Sequence, residues 1–419
     1  MVQFRDVLRK RNFFLLWSGQ IISNFGDRLN QMALIGLVFQ RAPHSTYELA
    51  KLMLFIIIPV FVIGPVAGAY VDRWNRRHIM IISDLTRCVL VLFIPFAILH
   101  FKSTIPVYII VFFTFSIQRF FLPSKMAIIP SLVEKEELLV ANSLSDTTYM
   151  VATILGIGLA GLLVKVVGVL SGFYIDSASF FCSAVLLYFM RPNGEIKKGG
   201  YKEDFKLVGE AVENAIRKTI WTQVREGIVF IFTYPKARFA MSILFLLMAG
   251  AGAIFCVVIV FIQEKFGTAT ADLGFLGMFL GVGLLSGALL YGRLGQRFDK
   301  QRAILSSFVL GGMGIVAFAL IIPRFPLYRI AGILCLLVGM VLSPIIISIN
   351  TMIHETIPDA MRGRIFSSQE IVIHLGFLIF MFITAIMSEH IDRMWILVGC
   401  GGIFSIVGLT GLALRPFKK

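Results

Sequence analysis

Ionisable side chains are scarce inside the apolar stretches of this chain, and the few present define the chemistry open to it. Asp27 and Arg28 stand side by side in the first long apolar run. At 1.5 Å per residue they fall roughly mid-way along a spanning helix. A carboxylate there can bind and release a proton or hold a cation, or it can simply hydrogen-bond a neighbouring helix. Arg28 follows Asp27 by about 100° around a helix, so the two do not share a face. Glu370 and His374 are spaced i, i+4 and do share one. Such a pair can titrate near physiological pH or latch onto an adjacent loop. Gln118 and Arg119 precede a Pro123-Ser124-Lys125 turn. Lys125 can bind an anionic head group or snorkel to the interface. Asp84 and Arg87, i and i+3, read as an internal ion pair with a packing role.

These residues need long helices to hold them, and the composition supplies helices for a bilayer. The 419 residues are 58% hydrophobic and 15% charged, with mean hydropathy +0.86. Soluble domains run nearer a quarter charged. One soluble core could not bury this much apolar surface. Breaks at charge and Gly/Pro clusters leave twelve apolar spans, near 13–39, 49–71, 78–100, 104–127, 142–167, 172–190, 237–263, 272–294, 303–322, 328–352, 366–388 and 394–414. The first run is too long for a signal-peptide core and lacks a small-residue cleavage site, so it is expected to stay as a helix. Cys88, Cys182, Cys256, Cys335 and Cys400 lie unpaired in apolar segments and read as packing residues, with no metal site.

A net charge of +15 would suggest nucleic acid in a soluble protein. Here the bases sit in short loops and no nucleic-acid-binding motif accompanies them. Arg5, Arg9, Lys10 and Arg11 precede the first span, and Arg73, Arg76 and Arg77 follow the second. Arg293, Arg297, Lys300 and Arg302 follow the eighth, Arg362 and Arg364 the tenth, and Arg415, Lys418 and Lys419 the last. By the positive-inside rule both termini are expected in the cytoplasm. The one long loop, 191–236, repeats Phe205, Val208, Val212, Ala215, Ile216 and Ile220 at helical spacing. It reads as an amphipathic surface helix linking a bundle at 1–190 to another at 237–419.

The two halves repeat. Gly68, Asp72 and Arg73 recur as Gly292, Gln296 and Arg297 at an offset of 224, and Ile129-Pro130 recurs as Ile357-Pro358 at 228. Copies in one orientation imply a central site between halves, with the symmetry axis along the membrane normal. The offset of 228 also maps Asn142 and Asp146 onto Glu370 and His374.

The stretch Gly68-x-x-x-Asp72-Arg73-x-x-Arg76-Arg77 resembles the loop 2–3 motif of the major facilitator superfamily. Ser23-Asn-Phe-Gly26-Asp27, Pro123 to Pro130, Leu139-Val-Ala-Asn142, Arg225-Glu-Gly227 and Ile357-Pro-Asp-Ala-Met-Arg362-Gly363-Arg364 resemble a macrolide-efflux and enterobactin-exporter-like branch, whose relatives include lysophospholipid transporters. The resemblance implies an all-α membrane protein with twelve transmembrane helices in two pseudo-symmetric six-helix bundles. It implies a conformational latch at Gly68, Asp72, Arg73, Arg76 and Arg77, weaker where Gln296 replaces the aspartate. Gly292, Arg297 and Asp146 join that latch set. The family often carries an Arg in its fourth helix tied to proton coupling, and Arg119 is the residue here. The Gly-Pro-rich motif of its antiporters departs: Gly156, Gly158 and Gly161 remain, without the proline.

The expected function is secondary active transport by alternating access, proton-coupled export of a small amphipathic drug- or siderophore-like compound. Asp27, Arg28, Arg119, Lys125, Glu370 and His374 are the substrate- and proton-coupling candidates. A lysophospholipid flippase and a membrane sensor that binds without transporting stay open. An enzyme is not expected: there is no H-E-x-x-H or G-x-S-x-G set, and no G-x-x-x-x-G-K-[ST] loop for a nucleotide-driven pump. No cofactor is expected beyond a proton gradient. The protein should act as a monomer in the bacterial cytoplasmic (inner) membrane.

Overall fold

A computed structural model describes residues 3–64, 67, 71, 74–191, 235–295, 299–356 and 362–414, without the side chains of 235–238, 240, 353–356 and 362–372. A short helix α1 (Phe4–Arg9) leads into α2 (Arg11–Arg41), α3 (Thr46–Val62), α4 (Arg76–His100), α5 (Ile105–Ile128), α6 (Leu138–Val167) and α7 (Val169–Phe189). Then follow α8 (Pro235–Phe266), α9 (Ala271–Leu294), α10 (Lys300–Ile321), α11 (Tyr328–Thr356), α12 (Arg362–Met387) and α13 (Arg393–Leu414). The twelve long helices match the twelve apolar runs. The linker helix expected within 191–236 lies outside the described residues.

Among the described residues, nine helices are long and apolar enough to cross a bilayer. α2 is long enough but is not one of them, because Gln20, Asn24, Asp27, Arg28, Asn30 and Gln31 interrupt its apolar character. Such a helix is stable in lipid only where its polar positions face protein or a cavity. Large apolar side chains such as Leu99, Val166, Leu289 and Leu414 are exposed on the protein surface, as expected for residues meeting lipid.

The chain divides into two compact units, one of Met1–Arg41 and Leu52–Ile220, the other of Ala42–Lys51 and Trp221–Lys419. In the first, α2 packs against α6 and α7, and α4 packs against α7. In the second, α8 packs against α12 and α10 against α13, which repeats the α2–α6 and α4–α7 pairings six helices later. This shared pairing is the three-dimensional form of the repeat in the sequence.

Small residues set the closest approaches. On α2, Gly26 leaves no room for a side chain: a Cβ there would overlap Ser179 Oγ of α7 and lie 2.5 Å from Asp176 Oδ1 of the same helix. Gly19 faces Ser183 of α7 one heptad earlier, with 3.2 Å to its Oγ, and Ala33 meets Gly172 one heptad later. The period of seven keeps these contacts on one seam. In the second unit, Gly283 and Gly287 of α9 meet the α11 backbone at Leu336 and Met340 in the same way. Gly168 (φ 89°) makes the single-residue turn between α6 and α7, a conformation that favours glycine.

The first unit's core gathers Phe13, Leu16, Met80, Phe121, Ile128 and Leu187 around a fully buried Val7 of α1. Lys10, just past α1, pairs with Glu134 at 2.8 Å and with Glu137 at 2.5 Å. Asn12 exchanges two hydrogen bonds with the Arg191 backbone, donating to its carbonyl and accepting from its N–H. The second unit has its own core of Leu244, Leu247, Ile304, Phe308, Ile345 and Phe404.

Candidate functional site

The close seam between α2 and α7 brings the ionisable residues of the first unit together. Asp27 follows Gly26 and points to α4, where Arg87 Nη2 donates to Asp27 Oδ1 at 2.6 Å. Arg87 Nη1 lies 3.5 Å from Asp84 Oδ1, one turn earlier on its own helix. The guanidinium stacks 3.8 Å over the ring of Phe180 on α7. Asp176, one turn before Phe180, completes the cluster within electrostatic reach of both Asp27 and Arg87. Its backbone carbonyl accepts from Ser179 Oγ at 2.7 Å. Asp84 and Asp176 are fully buried, Arg87 is 3% exposed and Asp27 is 19% exposed at its side chain.

Two carboxylates, Asp27 and Asp84, therefore contact one buried guanidinium, with the buried Asp176 in electrostatic reach. An isolated buried charge is costly, so such a group depends on how pairing and protonation divide the charge. The pair expected from sequence was Arg87 with Asp84. The shorter contact is between Arg87 and Asp27, which ties two helices instead of one. Asp176 and Phe180 escaped sequence reasoning. The signal was present, since Asp176 is the one acid in Val169–Phe189.

The other candidates are placed as follows. Arg28 turns away from Asp27, donates to Gln31 Oε1 at 3.0 Å, and lies over Gly156 of α6. Arg119 is half-buried on α5. Lys125, further along α5, lines a cleft with Trp17, Gln20 and Thr148. Asp146 lies on α6 within electrostatic reach of Lys125. His374 is half-buried on α12, and the side chain of Glu370 lies outside the described residues. Gly68, Asp72, Arg73, Gln296 and Arg297 also lie outside them, and Gly292 is exposed with open space around it.

Arg76 and Arg77 close helix ends. Arg76 Nη1 donates to the Ala127 carbonyl of α5 at 2.7 Å. Arg77 Nε donates to the Leu187 carbonyl of α7 at 3.1 Å, and its Nη2 donates to that of Tyr188. Cations at C-terminal carbonyls satisfy orphan acceptors and oppose the negative end of the helix dipole. At the opposite end of α4, Arg41 does the same for the Phe101, Lys102 and Ile98 carbonyls. In the second unit, Arg393 holds Glu264 at 2.6 Å, Thr46 Oγ1 at 3.1 Å and the His44 carbonyl at 2.5 Å. His44 carries a positive φ of 61°.

Twelve long helices in two like-paired units, with a charged cluster inside one of them, define a polytopic membrane transporter rather than an enzyme. The chain belongs to the Major Facilitator Superfamily, whose family model matches residues 16–381. It is 24% identical to the multidrug efflux pump Tap of Mycolicibacterium fortuitum, over 74% of this chain and 72% of Tap. It is 24% identical to macrolide efflux protein A of Streptococcus pyogenes, over 98% of this chain and 97% of that protein. The crystal structure of the nucleoside transporter NupG superposes with a TM-score of 0.68 at 11% identity, over 97% of this chain and 99% of NupG. At that identity the likeness concerns the fold.

Proposed function

We propose that this transporter works by alternating access and exports a small amphipathic compound, drug- or siderophore-like, in exchange for protons. Its termini face the cytoplasm of a bacterial cell, it sits in the inner membrane, and it acts as a monomer without a cofactor. The efflux function of the two relatives supports the direction. The observation that carries the coupling is the Asp27–Arg87 pair, 2.6 Å long, which joins α2 to α4 over the Phe180 ring of α7.

A proton bound to Asp27 cancels its charge and loosens its hold on Arg87. The guanidinium then has Asp84 as an alternative partner one helical turn away. Removing one partner of a buried pair costs roughly 3–5 kcal/mol. Moving a two-state balance from 1:99 to 99:1 takes about 5.5 kcal/mol. Occupancy of this one pair is therefore of the right size to bias two conformations.

The test is a screen for compounds whose accumulation in cells falls when the protein is present, followed by proton flux in proteoliposomes. Asp27→Asn should abolish proton flux driven by any recovered substrate. Normal substrate transport and normal proton movement in this variant would remove Asp27 from the coupling. Saturable binding without flux of any compound would replace the transporter reading with a sensor.

A further inference from the structure

We propose that residues 42–51, the tip of the α2–α3 hairpin, are a strap that Arg393 fastens to the second unit in one state of the transport cycle and releases in the other. This rests on the alternating-access reading and adds to it a device that sets the balance between the two states.

The chain changes partners twice here. α2 as far as Arg41 belongs to the first unit, Ala42–Lys51 to the second, and α3 rejoins the first at Leu52. An arginine holds each side of the first crossing. Arg41 donates to the Ile98, Phe101 and Lys102 carbonyls at the end of α4. Arg393, at the start of α13, uses Nε and both terminal nitrogens. Its Nη2 donates to the His44 carbonyl at 2.5 Å, its Nε to Thr46 Oγ1 at 3.1 Å, and its Nη1 to Glu264 Oε1 of α8 at 2.6 Å. Glu264 also lies 3.7 Å from His44 Nδ1. Thr46 is buried, and the Tyr47 ring meets that of Phe382 on α12 edge-on, with 6.4 Å between ring centres.

His44 takes up the strain of the crossing. Its φ of 61° lies in the left-handed region, which a residue with a Cβ occupies only where its surroundings impose it. Here the Arg393 guanidinium holds its carbonyl, just after the Arg41 anchor. Release of Arg393 lets His44 return to an ordinary backbone conformation, so the strap is loaded against its clasp. The strap keeps its own shape when it leaves. Ser45 Oγ caps α3 by accepting from the Glu48 N–H at 3.1 Å, and Lys51 pairs with Glu48 and lies 4.7 Å over the Tyr47 ring. The clasp itself is within reach of water: the side chains of Arg393 and Glu264 are 18% and 26% exposed. Ion pairs in contact with solvent are readily exchanged for it, as a two-state element requires. With the termini in the cytoplasm, as proposed above, the strap lies at the external end of its helices.

The test is the distance between two spin labels on the full chain in nanodiscs, with neither a substrate nor a proton gradient. The labels sit on cysteines at Ala42, in the strap, and at Glu389, exposed between α12 and α13, with the native cysteines replaced. Two distances are expected, the shorter from the fastened strap. Arg393→Gln should move the population roughly tenfold toward the longer one. His44→Gly should move it the other way, since glycine accepts the left-handed backbone without strain. His44→Ala loses the same ring and keeps the strain, so it should not follow glycine. The two His44 variants leave Arg393 in place and decide the matter even where Arg393→Gln fails to fold. A single distance that Arg393→Gln leaves unchanged would overturn the strap, and so would equal shifts by His44→Gly and His44→Ala. Efflux and proton coupling are read as flux, so their failure leaves these distances standing.

Discussion

Arg87 is the residue on which the first unit's charge balance turns. It meets Asp27 at 2.6 Å, Asp84 at 3.5 Å and Phe180 face-on at 3.8 Å. Arg87→Gln removes the one cation and leaves carboxylates unpaired in a low-dielectric site, a loss of about 3–5 kcal/mol. Asp27→Asn keeps an acceptor oxygen for Arg87 and should be milder. Their effects should not add: in the double variant, loss of one charge offsets loss of the other. Thermal midpoints of the four proteins in detergent check this, and additive midpoint shifts would show that the two residues do not act as a pair. Asp84→Asn should weaken stability less than Arg87→Gln, since its contact is longer and lies within one helix.

The α2–α7 seam explains why the cluster exists where it does. Helix positions of Gly19, Gly26 and Ala33 recur every seven residues against Ser183, Ser179 and Gly172. Gly26→Val must push α7 away from α2 and with it Asp176 and Phe180, at an overpacking cost of roughly 1–3 kcal/mol. Gly19→Ala meets only the Ser183 hydroxyl at 3.2 Å and should be tolerated. Equal melting temperatures for the two variants would refute the seam. At the end carrying α1, Lys10 holds Glu134 and Glu137, and those hydrogen bonds raise its pKa above the usual lysine value. That clasp is complete above the range where carboxylates protonate and below about pH 10.4, the ordinary lysine value, and weakens as pH rises through the higher folded value. Lys10→Ala should loosen α1, read as faster amide exchange at Val7.

Helix positions were legible because each span needs about 20 apolar residues and its breaks are charged. Asp27 was legible as a lone acid in such a run. The Asp84–Arg87 pair was legible from its i, i+3 spacing, but the partner of Asp27 was not, because a contact from α2 to α4 is not visible in sequence. Arg76 and Arg77 were legible as bases, but their use on carbonyls depends on where α5 and α7 end.

Among the described residues the two units share helix pairing but differ in their charge pairs. Among the described residues, no buried arginine–carboxylate pair in the second unit answers Arg87 and Asp27. Its described ion pairs, Arg393 with Glu264 and Lys51 with Glu48, are partly exposed and lie near helix ends. The orientation of the copies is testable through their matching bases. Arg76 begins α4 and Arg302 lies in the first turn of α10, the corresponding helix six elements later. A same-direction repeat puts both on one face of the membrane, and the positive-inside rule makes that face cytoplasmic. Single cysteines at these positions, in a background with Cys88, Cys182, Cys256, Cys335 and Cys400 replaced by serine or alanine, should resist an impermeant maleimide added to whole cells. Both should react after the membrane is opened. A cysteine at Lys102, between α4 and α5, should react from outside. If positions 76 and 302 react from opposite faces, the units are inverted relative to one another, and the correspondence of α4–α7 with α10–α13 no longer describes a same-direction duplication.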